Sequence, residues 1–255
     1  EYERAGDGDA YINHSTGRVS FSAMMYTSKQ TPAPTLKQTT GTSFGICGGT
    51  GALGSLMAIW VTGSRQGVSI LLTGRRGRHT TGSTHSSNAL EYSLLTSPYA
   101  PSCISIVACD ASTAADMEAL PHINNPLQPL HGWMHASGVL NDAIFSEHTL
   151  GSARRTFAPK VEAVHRLQER VLSCTPIASV ALFSSIASTL GSAGQSDYSA
   201  ANGVLDGMCS SFSGRGISSV SLQFGAWGVI GMAVERHIIQ RRIEQTIIVF
   251  FLRKW

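Results

Sequence analysis

Charge is scarce in this 255-residue chain: 14% of residues are charged, against about a quarter in ordinary globular domains. The net charge is only +3. That balance excludes a polyelectrolyte surface built for nucleic acid or for membrane headgroups. Cysteine is also sparse. Cys47, Cys103, Cys109, Cys174 and Cys209 are odd in number, widely spaced and never in CxxC. A disulfide framework is thereby set aside, and a reducing, cytoplasmic setting is expected. His131 and His135 in "HGWMH" have no acidic or thiol third ligand nearby, so no metal is expected. No apolar run reaches the ~20 residues of a membrane span, and no secretory leader is visible. The terminal "TIIVFFLRKW" reads either as a core strand or as the end of a piece cut from a larger protein.

What is present is a change of texture. Residues 1–43 are rich in Ser, Thr, Gly and Pro and read as a linker or tail, with one short strand near Val19–Met25. From residue 44, short apolar runs alternate with helix-compatible segments. Strands are expected at 43–47, 68–73, 103–109, 130–136, 179–185 and 219–225. Most are apolar nearly throughout, as strands covered on both faces are. Spacings of roughly 25–45 residues leave room for crossover helices. The expected class is α/β, a Rossmann-like doubly wound parallel sheet with helices on both faces. One domain is expected over 44–233, followed by an atypical segment, 234–255.

In such a sheet ligands gather beyond the carboxyl ends of the strands. After the first strand, Gly49, Gly51 and Gly54 satisfy GxGxxG between a strand and a helix. Glycine serves a tight turn and a close backbone approach to a pyrophosphate, at a helix N-terminus that favours anions. The alternative is a glycine-rich turn that only packs. About 20 residues on, NAD-binding folds place an acidic residue on the ribose. Here Arg75 and Arg76 follow the second strand. They suit a 2′-phosphate and hence NADPH, unless they are a solvated basic turn. Asp110 follows the third strand, to accept from the adenine amine or to cap the next helix.

Tyr198, Asn202, Leu205 and Cys209 fall on one helical face. Ser185 ends an apolar run at the sheet edge. A phenol titrates near ~10 and needs a neighbouring cation to act near neutral pH. Lys160 aligns with Val164, Leu167 and Val171, so its stem leans inward. The bland readings are a packed tyrosine and a lysine at a helix start snorkelling to water.

The pieces "GGTGALG" (48–54), "GRRG" (74–77), "ACD" (108–110), "HASGVLND" (135–142), "APKVEAVHRL" (158–167), "FSSIAS" (183–188), "GSAGQSDYSAAN" (191–202) and "QFGAWGVIGMA" (223–233) stand in one order. In that order the chain resembles the ketoreductase domain of polyketide synthases and animal-type fatty acid synthases, a branch of the short-chain dehydrogenase/reductase superfamily. The resemblance implies NADPH-dependent reduction of a β-ketoacyl thioester carried on the phosphopantetheine arm of an acyl carrier protein, within a multienzyme. It implies that Tyr198 protonates the carbonyl oxygen, Ser185 holds it, and Lys160 and Asn202 tune the tyrosine and order a proton relay. General superfamily members carry YxxxK; Asn202 stands at that lysine position and Lys160 at the exchanged site. The cofactor contacts implied are Gly48, Gly49, Thr50, Gly51, Ala52, Leu53, Gly54, Arg75, Arg76, Cys109, Asp110, Ala136, Ser137, Gly138, Tyr198 and Gly225. "GAWGVIGMA" resembles the segment leading to a mobile lid. Leu140–Asn141–Asp142 resembles the LDD motif of ketoreductases giving the D-configured alcohol, and Leu190 stands where the opposite class has tryptophan. Two other functions stay open: a free-standing reductase of a small ketone, and a non-catalytic reductase-like scaffold.

Overall fold

The computed structural model describes residues 2–4, 10–13, 18–21, 42–64, 67–77, 104–123, 130–173, 175–225 and 249–252. The chain divides into two units, Glu1–Thr39 and Thr40–Trp255. In the first, β1 (Tyr2–Arg4), β2 (Ala10–Asn13) and β3 (Arg18–Phe21) form an antiparallel sheet in the order β1-β2-β3. The strand expected near Val19–Met25 overlaps β3; β1 and β2, short and of mixed composition, were not expected.

The second unit holds β4 (Thr42–Cys47), β5 (Val68–Gly74), β6 (Ile104–Ala108), β7 (Leu130–His135), β8 (Ser179–Ser185) and β9 (Ser218–Phe224). These six pair in parallel in the order β6-β5-β4-β7-β8-β9. Each lies within a residue or two of its expected position. Short β10 (Val249–Leu252) adds to β9 antiparallel, so the terminal apolar run contributes a strand. The order reverses between β4 and β7, the point where a doubly wound sheet opens a crevice for a ligand.

Helix α1 (Ala52–Ser64) crosses from β4 to β5. It packs Ala58 and Val61 on one sheet face against Ile46, Ile70 and Leu72. Helix α2 (Ala114–Ile123) follows β6 and carries Pro121 inside it. Helix α3 (Leu150–Phe157) starts with a capping box between Thr149 and Ser152. It runs on through a π segment (Ala158–Glu162), the short α4 (Ala163–Arg166) and a second π segment (Leu167–Val171). After β8 come α5 (Ala187–Leu190) and the long α6 (Ser196–Ser213). The opposite sheet face is covered by α2, the α3–α4 rod and α6. There Met117, Val164, Leu167, Leu205 and Phe212 close on Trp133 and Leu182, all at most 1% exposed. Apolar packing on both faces explains the uninterrupted apolar strands.

Among the described residues, no helix is long and apolar enough to cross a membrane. Residues 226–233 and 234–248, with the expected lid segment, lie outside the described residues, as do Cys103 and Cys174.

Candidate active site

The turn between β4 and α1 is set by two glycines. Gly48 has φ +72°, and a Cβ there would stand 2.8 Å from the Ser137 nitrogen and Oγ. A Cβ on Gly54 would lie 2.4 Å from the Gly48 carbonyl oxygen and 2.6 Å from the Gly49 Cα. The turn is thus clamped between α1 and the segment after β7, with no space for a methyl group on either side. Backbone bonds from the Gly49 nitrogen to Ile46 and Thr73 carbonyls, 3.2 and 3.0 Å, seat it on the sheet.

A cavity of about 280 Å³ opens over this turn. It is lined by Gly48, Thr50, Gly51, Ala52, Leu53 and Gly54 of the turn and helix start, by Arg75 and Arg76 after β5, by Cys109 and Asp110 after β6, and by Ala136, Ser137 and Gly138 after β7. Gly49 lies beneath, its missing side chain facing Ile46 and Leu72. Gly225, half-buried just after β9, and Tyr198 do not line this cavity. Cys47, Val139 and Pro159 do, and the sequence reading missed them. Cys47 had a signal, as the last residue of an apolar strand; Pro159 had none, because its approach depends on a helix distortion described below.

Two thiols sit in the floor. The Cys47 Sγ is 3.1 Å from Ser137 Oγ. Burial pushes the Cys47 thiol up to about 11, with Ser137 opposing. Burial, and then Cys47 itself, pushes Cys109 up to about 12. Both are neutral thiols at ordinary pH and neither is an activated nucleophile. Asp110 takes a turn role rather than capping the helix directly. Its Oδ1 accepts from Ser112 N and Oγ at 3.0 and 2.7 Å, and its own nitrogen donates to Asp116 at 2.7 Å. The cap proper falls to Thr113, whose Oγ1 accepts from Asp116 N at 3.4 Å.

The second cluster stands at the carboxyl end of β8. Tyr198, Asn202, Leu205 and Cys209 share one face of α6, and Asn202 is fully buried. The helix start is fastened by Asp197, which accepts from the Tyr198 nitrogen at 2.7 Å and from Thr156 Oγ1 at 2.6 Å. Lys160 is 3% exposed and belongs to the interior of the α3–α4 rod. This replaces the picture of a lysine at a helix start, because the helix begins ten residues earlier at Leu150. Lys160 Nζ donates to the Phe183 carbonyl at 3.1 Å and lies 5.4 Å from the centre of the Tyr198 ring. Ser185 Oγ accepts from Ala187 N at 3.2 Å, and neighbouring Ser184 donates to the Asn202 carbonyl at 3.2 Å. Asn202 Nδ2 donates to the Tyr198 carbonyl at 2.8 Å, and its buried Oδ1 has no partner among the described residues.

The electrostatics differ from the expected acidified phenol. Burial raises the Tyr198 pKa; the Asn202 and Ser185 side chains oppose it, and Asp142 adds to it. Lys160 faces the ring rather than driving this balance, and burial pushes its own pKa down to about 8, against Asp206. Desolvation wins over the neighbours in both groups. At neutral pH the phenol therefore carries its proton. His131 and His135 are engaged separately: His131 Nδ1 accepts from Ser43 N at 3.3 Å, and His135 Nε2 bonds the Pro159 carbonyl at 2.9 Å.

A family model described as "KR domain" matches residues 42–229. The chain is 33% identical over 201 residues to the phenolphthiocerol synthesis polyketide synthase type I Pks15/1 of Mycobacterium marinum, covering 78% of this chain and 9% of that protein. It is 33% identical over 183 residues to a putative inactive phenolphthiocerol synthesis polyketide synthase, Pks1, of Mycobacterium tuberculosis, covering 71% and 11%. The chain thus spans about a tenth of the length of these relatives. Among solved structures, A-type ketoreductases from a modular polyketide synthase superpose with a TM-score of 0.66 at 30% identity, over 80% of this chain and 42% of that one. With the cavity at the sheet's switch point and a 188-residue span of the family pattern, this chain belongs to the KR family, the ketoreductase domains of polyketide synthases, on the short-chain dehydrogenase/reductase fold.

Proposed function

We propose that the chain reduces the β-keto group of an acyl thioester carried by an acyl carrier protein, using NADPH, with Tyr198 as proton donor. KR domains of this fold bind a nicotinamide cofactor, and the residues present fit one. The observation that carries the reading is the union of two features. A glycine turn too tight for a side chain at Gly48 or Gly54 opens one cavity, and half-buried Tyr198 with buried Lys160 and Asn202 stands at the end of a neighbouring strand. The turn and the start of α1 would hold the pyrophosphate, and Arg75 and Arg76 the 2′-phosphate. Bound there, the cofactor supplies hydride.

The chain's own residues do the rest. Tyr198 keeps its proton at neutral pH and releases it to the carbonyl oxygen as that oxygen gains charge. Ser185, at the end of β8, donates to the same oxygen, since its lone pair accepts from Ala187 and its hydroxyl stands beside Tyr198. Lys160 offers positive charge to the phenolate left behind. Asn202 Oδ1 is a buried acceptor that fits a relay passing a proton back to the site. The D-configured product is proposed on the Leu140–Asn141–Asp142 pattern. Asp142 is fixed toward the start of α6 by Gln195, 3.0 Å away.

Purified protein mixed with NADPH and a β-ketoacyl thioester should consume NADPH, and faster than with a small free ketone. A preference for the free ketone would favour a free-standing reductase. A folded protein that binds NADPH and turns over neither would be a scaffold. Cofactor choice is checked by the Arg75→Ala/Arg76→Ala double variant. NADPH affinity should fall about tenfold or more while NADH affinity changes by less than about twofold, because charge-assisted contacts to the extra phosphate are lost. Equal losses would assign the arginines elsewhere.

A further inference from the structure

Lys160 reaches the site through a helix that does not run regularly. Proline inside a helix lacks an N–H and crowds the preceding turn. At Pro159 the rod neither breaks nor bends into a new element; it widens into the π segment Ala158–Glu162, where the Ala163 N–H reaches back to the Ala158 carbonyl. Such insertions are frequent at functional sites. The Ala163 N–H, which an α-helix would give to the Pro159 carbonyl, goes to the Ala158 and Lys160 carbonyls instead, and His135 Nε2 meets the Pro159 carbonyl at 2.9 Å. A carbonyl only accepts, so Nε2 carries the hydrogen and the tautomer is fixed.

His135 is 1% exposed, the last residue of β7, paired in register with Cys47 on one side and Leu182 on the other. Lys160, the next residue after Pro159, is anchored at its far end to Phe183, which follows Leu182 on β8. The lysine is therefore held at both ends by the carboxyl edges of adjacent strands: main chain by β7, amine by β8. We propose that His135 is a positioning residue of the site, setting the π turn at Pro159 so that the Lys160 ammonium stands over the Tyr198 ring; this rests on the role of Lys160 proposed above.

A second observation agrees. Burial, and then the charge of Lys160, push His135 down to about 3. The imidazole is thus a neutral N–H donor at working pH and not a competing cation. The titratable groups facing Lys160 are His135 from β7, and Tyr198 and Asp206 from α6; Asp206 is itself bonded to Ser188, Ser221 and Gln223.

The test is a three-variant series with Tyr198→Phe as control. Glutamine carries an amide N–H at the reach of His Nε2, asparagine one atom shorter, and leucine none. His135→Leu and His135→Asn should each lower kcat about tenfold or more, with NADPH affinity within about twofold, as misplaced catalytic groups do. His135→Gln should recover to within about threefold of wild type on the same argument. In parallel, NMR of ε-13C-lysine-labelled protein without substrate should show the Lys160 titration midpoint moved in the leucine and asparagine variants and unmoved in the glutamine variant. Should His135→Leu fail to fold, the Gln–Asn pair decides alone. Equal kcat and equal Lys160 midpoints in Gln and Asn overturn the proposal. So does a kcat loss that only follows the folded fraction. An active Tyr198→Phe variant or an inactive wild type defeats the functional reading instead, and the lysine midpoints still settle the role of His135.

Discussion

Tyr198→Phe should lower turnover of a β-ketoacyl thioester by about 10²–10⁴-fold, the usual worth of a positioned general acid, with NADPH binding nearly unchanged. The substitution removes one oxygen and keeps the ring, so the ring face under Lys160 survives. What disappears is the proton. Because burial raises the phenol's pKa, the group is a fully protonated acid across neutral pH. Its weakness as an acid is offset as its phenolate forms beside the Lys160 ammonium. Comparing kcat with NADPH affinity from fluorescence titration separates this from a folding defect. Turnover unchanged in the phenylalanine variant would remove Tyr198 from the chemistry.

The second large effect belongs to Gly54→Ala. The added methyl would meet backbone, not flexible side chains: the Gly48 carbonyl oxygen at 2.4 Å and the Gly49 Cα at 2.6 Å. Neither atom can turn away without opening the bond from Gly51 N to the Gly48 carbonyl, 3.0 Å, that shapes the turn. Helix α1 must therefore shift off the loop. Overpacking of this kind costs about 1–3 kcal/mol or more, and here the damage falls on the cradle itself. NADPH affinity should drop about 100-fold or below detection if a shift of an ångström misplaces the phosphate contacts. Gly207→Ala is the control: it lies in the exposed part of α6 with nothing within 4 Å. That change should leave binding intact and raise stability by up to about 1 kcal/mol, the usual gain from replacing glycine in a helix. Thermal unfolding and cofactor titration of the pair check both statements. Wild-type affinity in Gly54→Ala would show that the turn is a packing device only.

Most of the six parallel strands were legible because burial on both faces writes itself as an apolar run, and the candidate site residues were sought where each run ends. Ser185, Arg75 and Asp110 were found that way, from strand ends alone. The face of α6 was legible too, since a 3.6-residue period places Tyr198, Asn202 and Leu205 together whatever surrounds them. Three things were not. The antiparallel sheet formed by Tyr2–Arg4, Ala10–Asn13 and Arg18–Phe21 is made of short strands of mixed composition whose pairing depends on partners rather than pattern. Pro159 reads as a helix start, since proline favours a first turn; the π turn that accommodates it mid-helix is a tertiary outcome, held by a histidine 24 residues away. The direction of the Tyr198 shift depends on desolvation, which no local spacing reports. The proposed catalytic residues could thus be named from sequence, while the histidine contact beneath Lys160 could not.

The most direct measurement is mass spectrometry of the thioester after incubation of the wild-type protein with NADPH. Conversion of the β-ketoacyl thioester to a product heavier by two hydrogens, with the hydroxyl at the β-carbon, is the predicted result. Unchanged thioester, from protein that is folded and shown to bind NADPH, would contradict it.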